Sequence, residues 1–142
     1  MSTKHHGSCL CAGISFTING LLEPIQVCHC SHCRQAQGGP VATNIPVATE
    51  AITFERGLDL LQLYESSPGK VRAFCKVCGS PVFSKRDTLP GVLRIRAGLL
   101  KEPINTSIAF HAYVGSKANW WPIDEGATVY LAGAPQPSRP PT

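Results

Sequence analysis

The residues of this chain that could do chemistry are its seven cysteines, which fall into three tight groups. The first group reads Cys-Leu-Cys, the middle one Cys-His-Cys-Ser-His-Cys and the last one Cys-Lys-Val-Cys. Cysteines at such short spacing are typical metal ligands or redox groups, whereas cysteines that only fill a core are usually scattered. An odd number also prevents disulfides from pairing them all. The cysteines are Cys9, Cys11, Cys28, Cys30, Cys33, Cys75 and Cys78.

The last group has the form of a zinc knuckle. A two-residue gap between Cys75 and Cys78 lets one tight turn aim both sulfurs at a single ion, and Gly79 permits the backbone conformation that must follow. A structural zinc site needs four ligands, commonly two such pairs. The sequence offers two candidates for the second pair: Cys9 with Cys11, or two members of the middle group.

Seven thiols divide naturally into four and three. If Cys9 and Cys11 complete the knuckle site, the middle cysteines remain together and can surround one face of a second zinc ion. Three protein ligands with one open position are typical of a catalytic zinc. The alternative is a second structural site, closed by His29, His32 or His111. We expect His29, which stands between two ligands, to point away from the metal.

Short segments of alternating apolar and polar residues must position these groups, and they predict a mainly β architecture. One hairpin, with its turn at Ser66-Ser67-Pro68-Gly69, is expected to deliver Cys75 at a strand end. A short helical turn is expected over 31–37, ended by Gly38-Gly39-Pro40. Strands are predicted over 14–18, 51–56, 61–65, 70–75, 81–84, 92–96 and 107–114.

The composition predicts a single domain. The chain has 142 residues, of which 43% are hydrophobic and only 15% are charged. We expect one zinc-binding β domain over 1–133 and a Pro-rich tail over 134–142. No apolar run approaches the ~18 residues of a membrane span, and the N-terminus shows no secretory h-region. These features predict a cytoplasmic protein, in a compartment where structural disulfides are rare.

The basic residues are spread along the chain and form no run, although the formal net charge is +4. We therefore interpret them as mostly solvated surface, with one or two anion contacts among them. The chain also lacks the clustered basic and aromatic face that nucleic acid requires, so no nucleic-acid partner is expected. The sequence does not decide the oligomeric state, and an oligomer is compatible with it.

The ordered set of cysteine groups resembles the glutathione-dependent formaldehyde-activating enzyme family, which includes the centromere-protein-V-like proteins. The resemblance runs from about residue 7 to residue 125. Two departures are visible: Ala12-Gly13 stands where the family often has Gly-Ala, and Asn119 replaces a common proline. The matching segments are Gly7 to Gly13, Cys28 to Arg34, Ser66 to Gly69, Phe74 to Pro81, Arg96 to Leu100 and His111 to Trp120.

This resemblance implies an Mss4-like fold of small antiparallel sheets with two zinc ions. It implies a structural zinc on Cys9, Cys11, Cys75 and Cys78, and a catalytic zinc on Cys28, Cys30 and Cys33. The implied partners are a small-molecule thiol and an aldehyde. The implied reaction joins glutathione to formaldehyde as S-(hydroxymethyl)glutathione, which is a carbon–sulfur lyase reaction in reverse.

Glutathione carries two carboxylates, so cationic contacts are expected near the catalytic cysteines. Arg34, directly after the last ligand, and Lys117 are the candidates, although each has a solvated charge as its simpler interpretation. Trp120 is the candidate for a pocket wall, with core or edge packing as the alternative. For His111 a packed, hydrogen-bonded role is favoured over that of a general base.

Two other functions remain open from the sequence. A thiol redox enzyme similar to a methionine sulfoxide reductase would have one structural zinc and free, titratable cysteines in the middle group. A non-catalytic zinc-stabilised binding module would have both metal sites closed by protein ligands. A count of bound zinc separates the first of these from a lyase with two zinc ions.

Overall fold

The computed structural model describes residues 3–135, in which ten β-strands accompany one α-helix. Within this range no helix is long and apolar enough to span a membrane. Most of the expected Pro-rich tail, residues 136–142, lies outside the described residues. The elements are β1 (Lys4–Ser8), β2 (Ser15–Asn19), β3 (Ile25–Cys28), α1 (Ser31–Gln37), β4 (Ala42–Ala48), β5 (Ile52–Arg56), β6 (Leu61–Ser67), β7 (Lys70–Cys75), β8 (Pro81–Arg86), β9 (Val92–Arg96) and β10 (Ile108–Ala112).

The strands form two sheets. The smaller sheet has the order β1-β2-β5, and the larger one has the order β10-β3-β4-β9-β8-β7-β6. Every pairing is antiparallel except that of β3 with β10, which is parallel. The mainly β class predicted from the alternation is confirmed, and one sheet reaches seven strands.

The hydrophobic core lies between the two sheets. Phe16 and Ile18 of β2 are buried against Ile45 of β4 and Ile95 of β9, and all belong to one contiguous apolar cluster. Gly7 on β1 is required by this packing, because a Cβ there would come within 2.4 Å of the Phe16 ring. The core therefore joins the strand that precedes the first cysteine pair to the larger sheet.

The other face of the larger sheet is polar. Along β9, Arg94 and Arg96 alternate with Leu93 and Ile95, so that the arginines point away from the core. Ser84 of β8 stands in register with Arg94 on one side and with Arg72 of β7 on the other. This polar face is where α1 and the middle cysteine group lie.

Three strands were absent from the sequence expectations: β1, β3 and β4. β4 contains Pro46, which argues against a central strand because proline cannot donate a ladder hydrogen bond. In the structure β3 pairs with β4 only from Ala42 to Asn44, so β4 has a single neighbour, β9, at Pro46. The proline is thus tolerated at a position that is locally an edge.

Candidate functional site

Four cysteines from two distant turns converge on one point. The ligand atoms of Cys9, Cys11, Cys75 and Cys78 all lie within 4.8 Å of one another. The Sγ atoms of Cys9 and Cys11 are 3.6 Å apart, and those of Cys11 and Cys75 are 3.8 Å apart. Of the two pairs that competed for the knuckle, the structure thus brings Cys9 and Cys11 to it.

Both turns aim backbone N–H groups at the sulfurs. Ile14 N donates to Cys9 Sγ at 3.3 Å, and Cys78 N donates to Cys75 Sγ at 3.5 Å. Gly79 adopts the left-handed conformation (φ 80°), and its N–H closes the second turn on Cys75 O at 2.7 Å. These donors are arranged for sulfur in its anionic form, as in a metal-bound thiolate.

Ser80 connects the two turns. Its hydroxyl accepts from the Leu10 backbone N at 3.0 Å and lies 3.3 Å from Cys78 Sγ. The side-chain hydrogen bond from Ser80 is the main cause that lowers the pKa of Cys78 to about 5. The residue after the knuckle therefore stabilises a thiolate and fixes the first turn beside the second.

The four thiols fit a tetrahedral zinc ion. With Zn–S bonds of about 2.3 Å, a tetrahedron places its sulfurs about 3.8 Å apart. The two separations given above, 3.6 and 3.8 Å, match that spacing. Soft thiolate donors in a set of four select zinc over hard cations.

The second cluster forms where β3 ends and α1 begins. Cys28 is the last residue of β3, Cys30 is the N-cap of α1, and Cys33 lies in its first turns. Cys30 Sγ accepts from Cys33 N at 3.3 Å, and this helix cap orients both side chains. All three sulfurs lie within 4.8 Å of one another.

No fourth metal-binding side chain joins these three within residues 3–135. Of the candidates to close the site, His32 is exposed, whereas His29 is fully buried and turned elsewhere. The Nε2 atom of His29 lies 2.8 Å from Nδ1 of His111, and burial lowers the pKa of both imidazoles. The histidines thus pair with each other, as a packed role for His111 predicts.

Two of the three thiols have strongly shifted pKa values, in opposite directions. Hydrogen bonds from Cys28 and Cys30 hold the pKa of Cys33 far below its ordinary value, and the positive charges of Lys70 and Arg72 act in the same direction. The pKa of Cys28 is raised, chiefly by its hydrogen bonds with Cys30 and Cys33. The neighbouring thiols and cations thus favour the thiolate form of Cys33.

A cavity of about 470 Å³ opens beside this cluster. Cys28 and Cys30 line it on one side. Four cationic side chains line it as well, against one carboxylate, that of the exposed Asp87. These cations are Lys70, Arg72, Arg86 and Arg94.

The interpretation of the basic residues as mostly solvated surface is wrong for three of them. Arg72, Arg94 and Arg96 are only 7%, 5% and 5% exposed. Both terminal nitrogens of Arg72 approach Cys33 Sγ, at 3.8 and 3.9 Å. The signal in the sequence is the alternation of arginines with apolar residues along β9. That pattern normally places the cations in water, so it could not reveal that they are buried.

The predicted substrate contacts lie apart from this cavity. Arg34 Nε donates to Ser116 O at 3.2 Å, and Lys117 Nζ donates to the carbonyl oxygens of Ala118 and Trp121 at 3.0 and 2.7 Å. Trp120 is 64% exposed and packs edge-to-face against its neighbour Trp121. None of the three lines the cavity beside the three thiols, and their contacts with a substrate stay a prediction.

Comparison with known proteins bears on both clusters. The family model described as "Glutathione-dependent formaldehyde-activating enzyme" matches residues 4–116, which include all seven cysteines. No curated protein matches the chain significantly. The crystal structure of a Rhodobacter sphaeroides protein is similar in fold, with a TM-score of 0.60 and 22% sequence identity. The alignment covers 88% of this chain and 98% of that one.

Proposed function

We propose that this chain, which belongs to the glutathione-dependent formaldehyde-activating enzyme family, is a zinc-dependent carbon–sulfur lyase that joins glutathione, or a similar thiol, to formaldehyde or another small aldehyde. One observation supports this most directly. Three clustered thiols have no fourth protein ligand among the described residues, and two of them, Cys28 and Cys30, line a cavity that cations also line.

The proposed reaction needs no oxidant or reductant. The sulfur of the thiol adds to the carbonyl carbon, so that one C–S bond forms while the C=O double bond becomes a C–O single bond. The thiol proton ends on that oxygen, and the product is the S-hydroxymethyl adduct. The enzyme must therefore favour the thiolate, bring it to the aldehyde and stabilise the negative charge that develops on oxygen.

We assign the two clusters different roles in this reaction. Cys9, Cys11, Cys75 and Cys78 would hold a structural zinc, and Cys28, Cys30 and Cys33 would hold a catalytic one. A catalytic zinc with three protein ligands supplies a position for a small thiol and lowers the pKa of that thiol. The chain itself fixes the three cysteines, through the end of β3 and the cap of α1.

The cations of the cavity would assist in two ways. Arg72 approaches Cys33 Sγ and is held by its Nε, which donates to Ser66 Oγ at 3.0 Å. It thereby balances the negative charge of the thiolate cluster. Lys70 and Arg94 line the space next to it, where their positive potential favours a bound thiolate and the oxyanion that forms from the aldehyde.

Other contacts complete the proposal. Arg34, Lys117 and Trp120 are proposed to reach the outer part of a bound thiol rather than its sulfur, because they lie outside the cavity. A cytoplasmic location, where glutathione is abundant and disulfides are rare, also belongs to the proposal.

The test is the rate of adduct exchange, because the adduct also forms without an enzyme. Glutathione and ¹³C-labelled formaldehyde are brought to equilibrium, and the exchange rate between free and adduct carbon is measured by NMR exchange spectroscopy. We expect the zinc-loaded protein to accelerate exchange in proportion to its concentration. The Cys30→Ser variant, which keeps an acceptor at the helix cap but lacks the thiolate, is expected to give the uncatalysed rate.

Equal exchange rates with and without the protein would contradict the proposed lyase activity. In that case zinc content separates the remaining functions. One zinc ion per chain, with three titratable thiols in the middle group, would indicate a redox enzyme. Two firmly bound zinc ions without any acceleration would indicate a binding module.

A further inference from the structure

The cavity beside the three thiols is lined by four cationic side chains. We propose that Arg94 is a specificity-determining residue whose buried guanidinium binds a carboxylate of the thiol substrate. The inference rests on the proposed function for the identity of the ligand, and its geometric basis is independent of the reaction.

Arg94 is buried and has unsatisfied donors. It is only 5% exposed, and its Nε and Nη1 atoms have no hydrogen-bond partner. Leaving a buried donor unpaired costs about 1–3 kcal/mol, and more when the group is charged. A side chain that carries this cost while lining a cavity is placed to receive an acceptor from a ligand.

No protein carboxylate neutralises Arg94. Within residues 3–135 no carboxylate forms an ion pair with Arg94, and the charges that act on its guanidinium are those of Arg86, Arg96, Cys28 and Cys33. Burial lowers the pKa of Arg94 to about 10, so the guanidinium is still charged at neutral pH. The charge of the cysteine cluster does not suffice as counter-charge. Three thiolates on one zinc ion would leave a single negative charge, which together with the exposed Asp87 makes two negative charges against the four cations that line the cavity.

Arg96 on the same strand offers a comparison, because its Nη1 has acceptors and only its Nε lacks a partner. It is as deeply buried as Arg94, but its Nη1 donates to Asn44 Oδ1, to Ser84 Oγ and to the Arg94 carbonyl oxygen. It lines a different cavity, on the other side of α1. The two neighbouring arginines thus differ in that Arg94 alone faces the space beside Cys28 and Cys30 with two free donors.

The chemistry of the reactants decides which of them brings the anion. Formaldehyde is neutral and its oxyanion forms only during the reaction, so an anion that Arg94 binds before the reaction belongs to the thiol. The side-chain oxygen of Gln26, which lines the same cavity and is 8% exposed, has no donor. A simple inorganic anion would satisfy Arg94 but would leave Gln26 unpaired, whereas a peptide-type thiol offers both a carboxylate and N–H groups.

The test compares two ligands that differ in their carboxylate charges and in the methyl groups that mask them. S-Methylglutathione and its dimethyl ester cannot enter the reaction, and the ester masks both carboxylates. Binding to the zinc-loaded protein is measured by isothermal titration calorimetry. For Arg94→Met we expect the dissociation constant of S-methylglutathione to rise about tenfold or more, as for the loss of one charge-assisted hydrogen bond. For the dimethyl ester we expect less than a twofold change.

Two further variants control for general charge and for folding. Lys85→Met removes a cation from the exposed side of β8, outside the cavity, and is expected to bind S-methylglutathione as the wild type does. Arg94→Met should melt at the same temperature or higher, since it removes an unpaired buried charge. If it fails to fold, Arg94→Gln replaces it with the same pair of ligands.

Three results would overturn the inference. They are unchanged binding of S-methylglutathione to Arg94→Met, equal weakening of the acid and the ester, and the absence of any binding to the wild type. The proposed reaction can fail separately. If no adduct exchange is catalysed while S-methylglutathione still binds in an Arg94-dependent way, the anion site stands and the lyase does not.

Discussion

The two cysteine clusters are built from the same residue type but sit in opposite surroundings. The four-thiol cluster joins two turns at the edge of the hydrophobic core, where Cys9 and Cys75 belong to the core itself. Its neighbours are backbone N–H groups and one hydroxyl. The three-thiol cluster lies on the polar face of the larger sheet, beside a cavity and an arginine.

We infer from this difference that the number of thiol ligands and their surroundings distinguish a structural metal site from a catalytic one. Four thiols satisfy a zinc ion completely, and their turns connect β1 with the β7–β8 hairpin. Three thiols leave one coordination position of a tetrahedral zinc ion open, and the nearby cations favour a negatively charged ligand. We therefore expect changes at the first cluster to affect folding and changes at the second to affect the reaction.

The largest expected effect is that of Cys75→Ala. A structural zinc site contributes on the order of 10 kcal/mol to folding, which equals the whole stability of many domains. The variant should be largely insoluble or unfolded by circular dichroism. Lys76→Ala changes an exposed residue of the same turn and should fold normally. A soluble Cys75→Ala protein with the melting temperature of the wild type would remove the structural role.

Cys30→Ala should affect the reaction and leave the fold intact, which is the reverse of the effect of Cys75→Ala. We expect a folded protein that has lost at least ~100-fold in catalysed adduct exchange, since a catalytic zinc cannot be held by two thiols. Its stability should fall by about 1 kcal/mol because Cys30 caps α1. Cys30→Ser restores an acceptor for the cap, so it should recover stability in urea titrations without recovering exchange. Wild-type exchange in either variant would contradict the assignment.

Gly7→Ala tests whether a packing defect in the core, beside the four-thiol cluster, lowers stability without affecting the reaction. A methyl group at this position would overlap the Phe16 ring, so overpacking should lower the free energy of unfolding by about 1–3 kcal/mol. Chemical denaturation measures it, with Gly39→Ala, whose Cβ would meet open space, as the control. Exchange per folded molecule should not change, and a loss of exchange without a loss of stability would break the separation of the two regions.

The smallest expected effect is that of Ala12→Gly. Ala12 has a left-handed conformation (φ 63°), which is strained for a residue with a Cβ. The family often has glycine at this place, directly after the second cysteine of the first pair. The variant should gain about 0.5–1 kcal/mol in denaturant titrations, with adduct exchange unaltered. A lower stability of Ala12→Gly would show that the left-handed conformation of Ala12 is not strained in this turn.

The sequence predicted the elements that alternate clearly. β7, β9 and α1 have the bounds expected from it, and the turn at Ser66 to Gly69 delivers Cys75 at a strand end. β1, with the sequence Lys-His-His-Gly-Ser, has no alternation, and it is a strand because it pairs along its whole length with β2. Such tertiary pairing leaves no mark in a local pattern.

The cysteines of the site could be predicted from the sequence, but the cations around the three-thiol cluster could not. Spacing and resemblance grouped the cysteines into the four and three that the structure brings together. They also directed attention to Arg34 and Lys117, because these are cations within matched segments and glutathione carries two carboxylates. The cations of the cavity come from β7, β8 and β9, and their meeting depends on the register of three strands. That register is a long-range property, which a single sequence does not display.

The most direct test of the account is the zinc content of two purified proteins, wild type and Cys30→Ser, measured per folded chain by inductively coupled plasma mass spectrometry. The account predicts two zinc ions in the wild type and one in the variant, with the four-thiol ion retained. One zinc ion in the wild type, or two in Cys30→Ser, would contradict the claim that the three clustered thiols hold a catalytic metal.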